Sequence, residues 1–139
     1  MNNPWSLYDE LIEGIPSGPT VQYYQAGCHW SRVVSSEDSV GLAMTIPLIS
    51  RPALSQETSL IGKPLRQMAQ LVKSWNFVEA ALGMAAINSW YNQPQRAELC
   101  GFSHPNIDKG IREAFDVYYE EAAGKKVAII GHFPFIEKR

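Results

Sequence analysis

Residues 77–91, FVEAALGMAAINSWY, leave a folded chain few choices. Read as a helix, Ala80, Ala81, Leu82, Gly83, Met84, Ala85, Ala86 and Ile87 carry apolar side chains nearly all the way round. A helix of that kind is buried on most of its surface, so other elements must cover it. Asn76 stands where an N-cap belongs, and Glu79 follows it at the spacing of a capping box, with Asn in place of Ser or Thr. Gly83 and Ala86 are expected to face another helix or a sheet at close range, because anything larger than a methyl group there would hold the two elements apart.

The covering elements can be read from the rest of the chain. Residues 4–14 have Trp5, Leu7, Tyr8, Leu11 and Ile12 at steps of three and four, an amphipathic helix stopped by Gly14 and Pro16. Three β candidates follow at 20–26, 28–35 and 39–46. Gly27 and Ser36-Glu37-Asp38 connect them, and both links are short enough for hairpins. An antiparallel three-stranded meander is the economical reading. Residues 47–63 lack a sustained period and read as a long loop. A helix is expected over 64–74, opened by Pro64, and an irregular stretch over 93–106. Residues 108–124 read as another amphipathic helix, closed by Gly124. This order, strands grouped apart from helices, is that of an α+β domain.

With 139 residues the chain has room for one domain, or one domain and a piece of a second. A hydrophobic share of 45% against 19% charged excludes a disordered chain. The net charge of −2 supplies no basic field for a phosphate backbone, so nucleic acid is not an expected partner. The longest apolar run, residues 80–87, falls far short of the ~20 residues of a bilayer span. The N-terminus MNNPWSLYDELIEG has no basic-then-apolar leader, so a cytoplasmic location is the expectation. Cys28 and Cys100 form no CxxC pair, which gives neither a zinc motif nor a disulfide framework.

After Gly124, Lys125-Lys126 leads into residues 127–130, a short apolar run that reads as a strand buried on both faces, and Gly131-His132-Phe133-Pro134 follows it. Nine residues remain after Ile130, and a βαβ unit needs ~30 or more. The expected organisation is therefore an α+β domain over 1–124 and, over 125–139, the first strand and glycine loop of a second domain.

Two segments, GKPLRQMAQLVKSWNFVEAALGMAAINSWYN and GKKVAIIGHFPF, resemble proteins of the putative heavy-metal chelation family. The resemblance implies an enolase-N-terminal-like domain, a three-stranded antiparallel meander with packed helices, joined to a Rossmann-like domain. It also implies a site in the cleft between the two domains and, as possible cofactor, a divalent or heavy metal ion. The partner it implies is the Rossmann-like domain, of which this chain has the first strand.

Candidate ligand-binding residues are weighed on that basis. Gly131 lets the backbone turn at the carboxyl edge of a parallel strand, where open α/β sheets bind ligands, and His132 beside it can titrate or bind metal. A dinucleotide fingerprint is absent, since Phe133 and Ile136 stand where GxGxxG requires glycine. Glu79 and Asn88 bracket the buried helix. They lie nine residues apart and so project from opposite sides, with helix capping as the plain role of Glu79 and a backbone-bonded amide as that of Asn88. Thr45 ends the third strand, at an edge that the resemblance makes a wall of the cleft. Cys100 and His104 could offer soft ligands, but two ligands are not a metal site. Cys28 and His29, adjacent in an expected strand, would point to opposite faces.

Whether any reaction is catalysed is left open, for no acid and base pair, activated nucleophile or P-loop is visible. The alternative reading is an oligomerisation or interaction module that pairs with a second copy through strand 126–130.

Overall fold

The computed structural model of the chain describes residues 3–46, 59–99, 101 and 118–128. Its backbone divides into two compact units, Met1–Phe102 and Ser103–Arg139. The first unit runs α1 (Ser6–Glu13), β1 (Val21–Ala26), β2 (Trp30–Ser35), β3 (Val40–Met44), α2 (Leu65–Ala69), a 3₁₀ turn (Gln70–Lys73), α3 (Phe77–Tyr91) and α4 (Pro94–Leu99). The described part of the second unit holds one short helix, α5 (Tyr119–Ala122). Gly124 follows it at φ +71°, the left-handed stop that glycine adopts without strain.

The three strands form an antiparallel sheet in the order β1-β2-β3. Tyr24 pairs with Val33 and Val33 with Gly41, which fixes the register and shows where each side chain points. Ser31, Val33, Ser35, Gly41, Ala43 and Thr45 face inward and are buried, whereas Trp30, Leu42 and Met44 face outward. The inner face is thus the small-residue face. The reason is α3, which lies directly beneath it. A Cβ placed on Gly41 would stand 2.0 Å from the Ala85 carbonyl oxygen and 2.2 Å from the Ser89 nitrogen. On another side of α3, a Cβ on Gly83 would stand 2.1 Å from the Val72 nitrogen. The close approach expected at Gly83 is therefore present, and it is made against the 3₁₀ turn. α3 is buried along most of its length, as its composition requires.

The core fills the space around that helix. Ile12, Ile15, Val21, Val33, Leu65, Met68, Leu82 and Ile87 are each at most 2% exposed and form one cluster with Ala43, Leu60, Val72 and Trp90. The inward-facing hydroxyls are paired, as burial demands. Ser31 and Thr45 share a hydrogen bond of 2.8 Å, and Ser35 and Ser39 one of 2.7 Å. The start of the free edge of β1 is covered by the chain itself: Val21 N donates to Lys63 O at 2.9 Å, and Gly62 N donates to Val21 O at 2.8 Å.

Asn76 caps α3, its side-chain oxygen accepting from Val78 N and Glu79 N. Ser74 extends the cap. Its hydroxyl donates to the Glu79 carboxylate at 2.5 Å and accepts from Asn76 N at 3.0 Å. α1 is tied down at two points. The Arg66 guanidinium donates to the carbonyls of Ile15 and Glu13, satisfying the helix end, and the Lys73 ammonium pairs with Asp9.

Three expectations need correction, and a fourth falls partly outside the described residues. Within residues 93–106, Pro94–Leu99 is helical, because Pro94 sits in the first turn, where its missing N–H costs nothing, and QRAEL are helix formers. The helix expected over 64–74 changes after Ala69 into a 3₁₀ turn. Cys28 and His29 lie in the bend before β2 and not in a strand, so strand alternation does not govern their directions. At the expected terminal strand, Lys126, Val127 and Ala128 form no ladder among the described residues, while Ile129 and Ile130 lie outside them.

Candidate functional site

β3 is the outer strand of the sheet, and its far side faces no further strand among the described residues. Thr45 N donates to His29 O at 2.8 Å and Ser35 N to Ser39 O at 2.9 Å, so the odd-numbered residues of this segment bond to β2. By the alternation of an antiparallel ladder, the N–H and C=O groups of Val40, Leu42 and Met44 point away from it. Asn88 confirms the direction: its Nδ2 reaches up from α3 and donates to Leu42 O at 2.7 Å.

A groove of about 500 Å³ runs along this edge, with Leu42 and Met44 above, Ala80, Met84 and Asn88 of α3 below and Tyr8 on the far wall. A smaller recess of about 290 Å³ lies at the end of the sheet between His29, Trp30, Met44, Thr45 and Ile46. Trp30, Met44 and Ile46 border both.

Thr45 and Asn88 are thereby brought to adjoining hollows. Thr45 is buried, with its hydroxyl on Ser31, and it forms part of the recess wall. Asn88 forms part of the groove floor while its amide holds the strand edge. Glu79 borders neither, for its buried carboxylate is engaged by the Ser74 hydroxyl at the start of α3. Gly131, His132, Cys100 and His104 lie outside the described residues.

The recess also contains a residue that strand alternation had set aside, His29, an exposed imidazole next to the exposed free thiol of Cys28. Met44 adds a thioether on the same wall. These are soft or borderline donors. No group of three or more His, Cys, Asp or Glu side chains that could hold a metal ion occurs among the described residues. Asp9 is the one described group with a resolved titration shift. The hydrogen bond from the Lys73 ammonium holds its carboxyl below the usual carboxylate range, with the charge of Lys73 and a hydrogen bond from Asn3 acting in the same direction.

The class these features define is a small α+β domain with a three-stranded antiparallel sheet laid on a buried, alanine-rich helix. Residues 8–91 match the family model described as "Putative heavy-metal chelation", and the chain belongs to that family. It is also similar to a solved protein of unknown function from the DUF364 family of Desulfitobacterium hafniense DCB-2. The identity is 41% and the TM-score 0.72, over 96% of this chain and 52% of that one. The chain thus spans about half the length of that relative. No curated protein matches it. No helix among the described residues is long and apolar enough to cross a membrane.

Proposed function

We propose that this chain is the N-terminal part of a protein that chelates heavy metal or binds a small ligand. In that reading, an enolase-N-terminal-like domain is followed by a Rossmann-like domain beginning near residue 125, and the site lies between the two. The recess at the end of the sheet, with Thr45 in its wall and His29, Met44 and Cys28 as soft donors, is the contribution of the first domain. Gly131 and His132 are the contribution of the second.

The observation that carries this reading is an incompleteness. The family is described by metal chelation, yet the described residues gather no three ligands, and the solved relative is about twice as long. A transition-metal site needs about four ligands in a fixed geometry, and in this reading the remainder come from residues outside the described ones and from the rest of the longer protein.

Calorimetric titration with zinc, cadmium and nickel tests it. The 139-residue chain is expected to bind each more weakly than micromolar, and a protein of the relative's full length to bind with defined stoichiometry. His29→Ala should weaken binding in the longer protein about tenfold or more, as loss of one ligand does. Stoichiometric binding tighter than micromolar by the 139-residue chain, lost on Cys100→Ala or His104→Ala, would show that the site is complete within it.

A further inference from the structure

We propose that the open edge of β3 is a dimer interface on which a second copy of this chain docks. The β3 strands run antiparallel across a two-fold axis at Leu42, so that the two sheets join into one of six strands. This surface shares Trp30, Met44 and Ile46 with the recess, but it runs along the side of the sheet and requires neither His29 nor any residue after 102.

The two sheet edges are treated differently by the fold. The β1 edge is bonded at its first residue, Val21, by Gly62 and Lys63, whereas the β3 edge has, among the described residues, one side-chain donor, Asn88, on one carbonyl. A carbonyl oxygen carries two lone pairs, so Leu42 O can still accept a strand bond in the plane of the sheet. Charge and proline, two of the devices that blunt an exposed edge, are missing from Ser39 to Ile46.

The surroundings of the edge select a second copy as occupant. An isologous interface must be complementary to itself. An antiparallel strand edge has that property, and an uncharged one meets its copy without like-charge repulsion. With Leu42 on the axis, Val40 of each copy stands opposite Met44 of the other, so the outward apolar row becomes continuous across the junction. Beneath it, Phe77, Ala80, Met84 and Asn88 form a half-exposed stripe on α3 at steps of three and four residues, which would meet the same stripe of the other copy.

The area suits a weak dimer. Trp30 is 59% exposed, Leu42 50% and Met44 67%, with Val40, Ile46 and Phe77 also open. At roughly 150–250 Å² per large side chain, the patch exposes on the order of 600 Å² per copy. Edge pairing leaves part of that outward row open, so the pair would bury less than about 1,200 Å², the range of weak, concentration-dependent interfaces. An apolar patch of that size on one molecule is itself the usual mark of an interaction surface.

The test uses the full 139-residue chain, by light scattering and analytical ultracentrifugation over concentrations up to about 100 μM. The expected species is a dimer of twice 15.5 kDa. Hydrogen exchange should show the amides of Val40, Leu42 and Met44 protected at high concentration and unprotected on dilution. Leu42 points outward, so Leu42→Lys and Leu42→Glu should fold as the parent does, with the same circular dichroism. Each sets like charges opposite one another on the axis, and each should weaken the dimer by at least about a hundredfold. Mixing the two variants should restore a dimer. A parent chain monomeric throughout, or a dimer unaffected by both substitutions, would overturn the proposal. So would edge amides protected equally in the dilute monomer, which would show that the chain covers its own edge.

Discussion

Thr45 and Ser31 show how a polar pair can be carried inside a sheet without weakening it. Both are buried, and each is the other's hydrogen-bond partner at 2.8 Å. Removing one hydroxyl strands the other away from water, and the stranded group carries the cost. Thr45→Val is therefore expected to lower stability by about 1–3 kcal/mol in urea melts, and adding Ser31→Ala should recover part of the loss. A double variant that loses the sum of the two single losses would show that the hydroxyls do not depend on each other.

Asp9 makes a pH-dependent contribution of known sign. Its carboxyl is held below the usual range by Lys73, so the folded state favours the charged form. The contribution is complete above the ordinary carboxylate value and disappears as pH falls through the lower folded value. Asp9 is partly exposed, so the effect is small and screened by salt. Thermal melts of the parent and Asp9→Asn should differ near neutral pH, and the difference should close toward about pH 2. A gap that widens in acid would contradict this assignment.

At the level of elements, the thickness of the domain is set by two glycines. Gly41 brings β3 onto α3, and Gly83 brings α3 onto the 3₁₀ turn. In both places the atoms that a methyl group would strike belong to backbone, which cannot swing aside. Gly41→Ala and Gly83→Ala are each expected to cost about 1–3 kcal/mol or more through forced separation of the elements, and Gly83→Leu more again. Gly18 has nothing within 4 Å of the corresponding position and is the control, its alanine variant staying within about 0.5 kcal/mol. Equal melts for all four chains would show that the elements have room to separate.

These contacts also mark what the sequence could and could not disclose. Residues 77–91 were legible to the residue, because Asn76 caps them and their apolar composition has only one use. The three strands were legible within two residues at each end, since the turns at Gly27 and Ser36–Asp38 punctuate them. The direction in which the strands face was not legible, because Val40-Leu42-Met44 alternates with Gly41-Ala43-Thr45 and hydrophobicity assigns the larger set to the core. Close packing on an alanine-rich helix reverses that assignment, and nothing local encodes it. α4 was missed because Pro94 reads as a breaker until its place in the first turn of a helix is known. Of the residues that line the two hollows, Thr45 and Asn88 were singled out from polarity at the margins of apolar elements, whereas His29 was set aside because a strand was drawn through the bend that holds it.

For the whole molecule, the distribution of the core leads to a last expectation. Among the described residues, every member of the buried cluster lies between Ile12 and Trp90, inside the first compact unit. The ties that close α1 and the β1 edge, from Arg66, Lys73 and residues 60–64, lie within the same span. Cooperative folding follows the continuity of one hydrophobic cluster, so the first unit contains what it needs to fold. A chain ending at Phe102 is therefore expected to unfold in a single transition, with a midpoint within a few degrees of the 139-residue chain and an unchanged urea slope per residue. Differential scanning calorimetry alongside urea melts makes the comparison, and the two chains should agree in van't Hoff and calorimetric enthalpy for that transition. A shortened chain that melts broadly, or whose midpoint falls by ten degrees or more, would place part of the stabilising core beyond residue 102.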